Sequence, residues 1–337
     1  IWSLLISSLA TSTIITMSSH HWLLAWLGLE LNTLSILPII IKSHHPRATE
    51  AATKYFIIQT MAAAIILFAS TLNAWQTGQW SIMHTSTHVM LIITLAIMLK
   101  LGLAPMHAWY PEVLQGSTMN TALIISTWQK LAPLSLLYLI NNNLPNNTIL
   151  LVGLASALLG GWTGLNQTQT RKIMAFSSIA HMGWLIITLN LSLHLTTMTM
   201  MIYIIMTTAM FMSLNMTATK TLTDMGTTWS QSSPLVTLMM ITLMSLGGLP
   251  PLTGFIPKWL ILSNLCHMKL LLLGTIMAMA SLPNLFFYIR LAYFTMLTTP
   301  PTTTNTQHKW RFKTSLSTGL VPTIMTTTLL LPLTPML

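Results

Sequence analysis

The sequence predicts an all-α polytopic membrane protein with about eleven transmembrane helices, and three observations predict it. Of 337 residues, 53% are hydrophobic and only 5% are charged, against about 25% charged in a soluble domain. Apolar runs of ~20 residues, the length that crosses a bilayer, recur from end to end. The polar breaks between the runs alternate in charge. No stretch is left over for a separate soluble domain.

Runs ended by Pro, Asn, charge or Gly clusters give spans over 2–18, 22–41, 54–75, 88–107, 118–140, 148–165, 172–190, 195–216, 234–262, 269–293 and 316–336. The first stops at Ser18-Ser19-His20-His21, the second at Lys42, and the third at Gly78. The fourth carries Gly102-Leu103-Ala104-Pro105, and the fifth runs from Thr118 to Ile140. The sixth follows Pro145-Asn146-Asn147, the seventh follows Arg171-Lys172, and the eighth closes before Lys220. The ninth is too long for one straight span. Its middle reads Gly247-Gly248-Leu249-Pro250-Pro251, so a helix broken within the membrane is expected. The tenth follows Lys269, and the eleventh follows a basic loop.

Loops after helices two, six, eight and ten hold Lys42, Arg47 and Lys54; Arg171 and Lys172; Lys220; and Lys309, Arg311 and Lys313. Those after helices three, five and seven hold no Lys or Arg. The positive-inside rule puts the even-numbered exits and the N-terminus on the cytoplasmic or matrix side, and the C-terminus opposite. Lys269 is the exception. A miscount of spans would scramble this alternation.

The chain also repeats itself. KLGLAPMHAW at 100–109 echoes GGLPPLTGFIPKW at 247–259, with Gly102-Leu103 and Pro105 matching Gly248-Leu249 and Pro251 at an offset of 146. Two five-helix repeats follow, 1–140 and 148–293, with a broken helix in each, and 294–337 adds a loop and one C-terminal helix. Five is odd, so the second repeat runs inverted to the first, as in many secondary transporters.

Charges inside the spans carry the functional signal, because each costs roughly 3 kcal/mol or more at the bilayer centre. Lys100 and Lys258 lie beside the two glycine-proline breaks, where freed backbone groups need protein or water. Lys130 is expected mid-helix in the fifth span. Glu30 is the one carboxylate deep in a span. Beside a lysine it offsets that lysine's charge, and drawing it away loosens the lysine's hold on its proton. Lysine suits such a switch, whereas arginine stays charged. His181, with Ser177 and Ser178 one turn earlier, is a relay candidate between Lys130 and Lys258. A passive buried ion pair at Glu30, snorkelling at Lys100 and Lys258, and a hydrogen-bonded structural His181 are the alternatives.

Other chemistries are excluded. The net charge of +10 does not indicate nucleic acid, because the basic residues are scattered between apolar runs. The single cysteine, Cys266, forms no internal disulfide and no cysteine-ligated cluster. His20-His21 and His44-His45 are adjacent pairs that do not readily face one ion, so no metal site is expected. Arg290 reads as an interfacial anchor. No nucleotide motif or redox centre is present, so no cofactor is expected in this chain. No cleavable signal precedes the first apolar run, and a few residues are expected ahead of Ile1.

WLGLELNTLSILP around Glu30, ATKYFIIQ at 52–59, KLGLAPMHAWYPEVLQG at 100–116 and TWQKLAPLSLLY at 127–138 resemble the antiporter-like subunits of respiratory complex I (NADH:ubiquinone oxidoreductase), in their vertebrate mitochondrial form. GLNQTQTRKIMAFSSIAHMGW at 164–184 and SLGGLPPLTGFIPKW at 245–259 extend the likeness over nearly the whole chain. That family is related to Mrp-type cation/proton antiporters. The resemblance implies that Glu30 and Lys100 form the ion pair of one half-channel, that Lys130 connects the halves, and that Lys258 serves the second. It implies proton translocation driven by quinone reduction in other chains, which use NADH, FMN, iron–sulfur clusters and ubiquinone. Partners would be other membrane-arm subunits, including antiporter-like ones, with cardiolipin as a candidate lipid. The place would be the mitochondrial inner membrane, with the N-terminus in the matrix and the C-terminus in the intermembrane space. Twenty-six methionines fit a mitochondrially encoded chain. The fuller bacterial form carries three additional N-terminal helices with no counterpart in this sequence. A stand-alone Mrp-like antiporter and a structural subunit with a vestigial channel are the competing functions.

Overall fold

A computed structural model describes residues 2–230, 232–296 and 319–331. Lys309, Arg311 and Lys313, most of the loop around them, and the end of the eleventh expected span lie outside the described residues. Among the described residues the regular elements are helices, and β-structure is limited to isolated bridges of His21 with Ser81 and Gln169 with Thr221. Seven helical stretches, one of them the interrupted Met119–Leu139, are long and apolar enough to cross a membrane, and four shorter apolar helices accompany them. The chain divides into two compact units, Ile1–Ser156 and Ala157–Leu337.

The first unit holds α1 (Trp2–Ser18), α2 (Trp22–Ile41), α3 (Pro46–Thr77), α4 (Thr87–Leu101), α5 (Trp109–Gly116), α6 (Met119–Ser126) and α7 (Leu131–Leu139). Both histidine pairs serve as helix starts. His21 Nδ1 accepts the Leu23 N–H at 3.2 Å and His45 Nδ1 accepts the Arg47 N–H at 3.1 Å, relieving N–H groups that a first turn leaves unpaired. Pro46 follows His45 at the first helical position, where its missing N–H does no harm. α1 lies against α2 so closely that a Cβ on Gly28 would meet Thr16 Cγ2 at 2.5 Å, the small-residue contact that brings membrane helices together.

Three boundaries differ from expectation. α3 begins at Pro46 and runs 32 residues, roughly 48 Å at 1.5 Å per residue. Arg47 and Lys54, read as loop charges, therefore occupy its first turns, and Lys54 pairs with Glu50 at 2.6 Å and with Glu112 of α5 at 2.7 Å. α4 stops at Leu101, six residues before the expected 107, because Gly102 turns left-handed at φ 73°. The fifth span is not one helix. α6 ends at Ser126 and a 3₁₀ turn, Trp128–Lys130, precedes α7. Pro133 offers no N–H to the Gln129 carbonyl and its ring crowds that group, so α-helical bonding lapses one turn ahead of the proline.

α8 (Asn146–Gly164) crosses the division. The second unit continues with α9 (Thr170–Leu191), α10 (Leu193–Thr217), α11 (Leu222–Thr227), α12 (Ser233–Gly247), α13 (Phe255–His267), α14 (Leu271–Met296) and α15 (Leu320–Leu329). α9 is its buried axis, with 89% of its apolar window inside the protein. The short α11 starts with a capping box of Thr221 and Asp224. The Thr221 backbone N–H, then its hydroxyl, holds the Asp224 carboxyl below the usual carboxylate range. Arg290 Nη1 donates to the Leu165 carbonyl at 2.7 Å, just past the end of α8, where carbonyls lack helical partners.

Threonine- and serine-rich helices become compatible with lipid by a local device. Hydroxyls of Ser12, Thr16, Ser178 and Ser213 donate to the carbonyls of Leu9, Thr13, Ala175 and Met210, three residues earlier in the same helix. A polar group satisfied by its own helix is far cheaper to bury than an unpaired one.

Candidate functional site

Two helix ends of the same design set up the candidate site. At the end of α4, Gly102 N–H donates to the Leu99 carbonyl and Leu103 N–H to that of Met98, both at 3.1 Å. At the end of α12, Gly248 N–H donates to Ser245 at 3.0 Å and Leu249 N–H to Met244 at 3.3 Å. Both are Schellman caps on a left-handed glycine, with φ of 73° and 79°. The sequence match at offset 146 is thus a match of backbone geometry. Each cap is followed by a short loop and a new helix, α5 or α13.

Around the first break, Lys100 occupies the last turn of α4 and is only 6% exposed. Its ammonium has no hydrogen-bond partner among the described residues. Lys130, 3% exposed in the 3₁₀ turn, sets its ammonium 4.9 Å from the centre of the Tyr110 ring, a cation–π contact worth on the order of 2 kcal/mol when dry. Both lysines line one cavity of about 20 Å³ of water-accessible space, together with Thr33, Tyr55, Gln59 and Gln129. That is room enough for a water molecule.

Glu30 does not touch Lys100. Among the described residues, ion pairs within 4.0 Å are those of Lys54. The Glu30 carboxylate instead accepts the Thr33 hydroxyl at 2.9 Å. Thr33 thus bonds Glu30 and also lines the cavity that holds Lys100.

Around the second break, Lys258 stands in the first turn of α13 and folds back on the end of α12. Its Nζ donates to the Gly247 carbonyl at 2.8 Å. A cation on the carbonyl end of a helix is favourable for both the free carbonyl and the helix dipole. Lys258 and His181 line a second cavity, also of about 20 Å³, with Thr199, Tyr203, Met206 and Gly254 among the other walls. His181 Nε2 lies 3.4 Å from the Tyr288 hydroxyl, and its ring centre is 6.0 Å from that of Tyr203. Ser177 and Ser178 bond carbonyls of their own helix.

The structure therefore brings Lys100 and Lys130 to one cavity and His181 and Lys258 to another. Sequence inspection missed the polar side chains that surround the first cavity. Gln129 Nε2 donates to Asn32 Oδ1 at 3.0 Å, the Tyr55 hydroxyl donates to Gln129 Oε1 at 3.4 Å, and Gln59 Nε2 donates to the Lys100 carbonyl at 3.4 Å. The available signal was the presence of amides within apolar runs, Gln59 in KYFIIQ and Gln129 in TWQK.

Comparison with known proteins fits this geometry. Residues 19–283 match the family described as NADH:quinone oxidoreductase/Mrp antiporter, transmembrane. Residues 285–337 match the NADH dehydrogenase subunit 2 C-terminus. NADH-ubiquinone oxidoreductase chain 2 of Polypterus ornatipinnis is 50% identical over 99% of this chain and 97% of its own length. The protein of the same name from Carassius auratus is 52% identical over 98% of this chain and 96% of its own length. The chain belongs to the NADH-ubiquinone oxidoreductase chain 2 family. A chain of respiratory complex I from Thermus thermophilus with bound aureothin superposes with a TM-score of 0.81 at 24% identity, over 98% of this chain and 79% of that one; at that identity the likeness is one of fold. All five candidate residues, Glu30, Lys100, Lys130, His181 and Lys258, fall inside the 19–283 match to the oxidoreductase/antiporter family.

Proposed function

We propose that this chain is a proton-translocating membrane subunit of respiratory complex I, passing protons through buried lysines while quinone reduction in other chains supplies the energy. The observation that carries it is the pair of cavities, each lined by a lysine beside a Schellman-capped helix break, in a chain of this family. Lys100 takes and releases a proton under the field of Glu30, Lys130 connects the half-channels, and Lys258 serves the second with His181 as relay. A lysine beside freed backbone and water-sized space exchanges a proton more readily than one sealed in lipid.

The finer placement follows the sequence. Eleven spans in two inverted repeats, the mitochondrial inner membrane, an N-terminus in the matrix and a C-terminus in the intermembrane space all rest on loop charge and on relatives. Other membrane-arm subunits are the partners, and cardiolipin suits the basic loops. The NADH, FMN, iron–sulfur and ubiquinone sites are assigned to other chains of the complex. The same family match also names Mrp antiporters, so a stand-alone antiporter is the second function. Mild-detergent purification separates the two, since a complex subunit emerges with many partners.

The test is Lys258→Met in the assembled complex, with protons moved per NADH oxidised as the measurement. A clear fall in that ratio is expected. An unchanged ratio rejects the transport role of Lys258.

A further inference from the structure

The second break is tied to α15, and among the described residues the first has no such tie. Thr253 lies in the loop between α12 and α13 and is 1% exposed. Its hydroxyl donates to the Thr327 carbonyl of α15. Thr327 sits in the last turn of α15, which ends at Leu329, where carbonyls have no partner in the helix. One bond thus satisfies a buried hydroxyl and an orphan carbonyl together. α15 is seated by Leu320 and Ile324, which pack with Ala209 of α10.

The loop is fixed on its other faces too. Gly254 lies so close to the Ser245 carbonyl that any Cβ would collide with it. Beyond it, Lys258 reaches back to Gly247. At the first break, position 107 matches 253 by the offset of 146 and holds His107, which is not buried and whose Nδ1 lies 3.2 Å from the Pro105 carbonyl of its own loop.

We infer that Thr253 is a positioning residue: through Thr327 it latches the α12–α13 loop to α15 and so holds the Lys258 ammonium against the Gly247 carbonyl. α15 then acts as a clamp on the second proton site. The inference rests on the proton-translocating role of Lys258. Removing the hydroxyl frees the loop to drift, so Lys258 spends less time at the break.

The experiment compares Thr253→Val, which keeps shape and deletes the donor, with Thr253→Ser, which keeps the donor, in the assembled complex. Protons per NADH and hydrogen exchange of the 246–258 backbone are measured together. Expected for Thr253→Val are a fall in protons per NADH of about a third or more, with NADH oxidation maintained, and faster exchange at the break; Thr253→Ser restores both. If Thr253→Val pumps and exchanges like the parent, the latch is wrong. If Thr253→Ser is as impaired as Thr253→Val, keeping the donor does not rescue the break, and the latch is again wrong. Should Thr253→Val not assemble, Thr253→Ser decides alone: parental exchange at the break supports the latch and accelerated exchange overturns it. Lys258→Met run beside them separates the failures. If that change leaves pumping intact, the functional role falls; if it lowers pumping while Thr253→Val does not, only the latch falls.

Discussion

The two helix breaks share a backbone and differ in where their charge sits. At the first, the lysine precedes the break, on the last turn of α4, and its ammonium is buried without a hydrogen bond. At the second, the matching position is Leu246, and the lysine comes after the break, where the first has Glu112. Lys258 is held by the Gly247 carbonyl, whereas Glu112 is half-exposed and paired with Lys54. One backbone motif therefore carries two lysines in different hydrogen-bonding situations. Lys100 is a buried charge with no hydrogen-bond partner among the described residues, and Lys258 is braced by the Gly247 carbonyl. The motif supplies a turn and free carbonyls, and the side chains decide which charge uses them.

The largest effect that would break this comparison is expected at Gly254→Ala. Its Cβ would enter the Ser245 carbonyl, while the first break carries Ala108 at the matching position. Overpacking of this kind costs several kcal/mol when backbone is the obstacle. Loss of the assembled complex on a native gel is expected; normal assembly would show that the second loop is not clamped.

Next in size are the two cap glycines. Alanine at Gly102 or Gly248 carries a left-handed penalty of about 1–2 kcal/mol. At Gly102 the nearest neighbours of the new Cβ are 3.3 Å away or more, but at Gly248 it would lie 2.8 Å from the Lys258 ammonium. Gly248→Ala is therefore expected to lower protons per NADH more than Gly102→Ala. Equal losses would mean that the turn alone matters.

The lysines themselves should separate in sign. Lys100→Met removes an unpartnered buried charge, so the melting temperature of the solubilised complex should hold or rise while pumping falls. Lys258→Met strips the Gly247 carbonyl of a charged donor, a loss of about 1–2 kcal/mol, and melting should drop. Matching shifts would erase the distinction between unpartnered and braced sites. The smallest effect is expected at Glu112→Gln, whose exposed pairing with Lys54 is screened by salt. Melting should differ from the parent at low ionic strength and converge with it near 0.15 M; a salt-independent loss would give Glu112 a role like that of Lys258.

Much of this was legible in the residues. GLAP and GGLPP located both breaks, since glycine and proline state their backbone requirements locally. Lysines 100, 130 and 258 stood out because a charge in an apolar run is costly wherever it lies. The 3₁₀ turn at Lys130 was written in Pro133 and was overlooked because the surrounding run is uniformly apolar. The Gln129–Asn32 and Thr253–Thr327 bonds span 97 and 74 positions, and no local pattern announces such partners.

By itself the sequence determined a chain of apolar helices, the two glycine-proline breaks, and the small set of charges that need a reason to be buried. Composition, turn chemistry and desolvation are local or additive, so they can be read in order along the chain. Only the tertiary structure decided that Glu30 turns to Thr33 instead of touching Lys100, that Lys258 braces Gly247, and that α15 latches the second break. Those outcomes depend on which groups meet within hydrogen-bonding distance, and that is settled by packing between segments far apart in the chain.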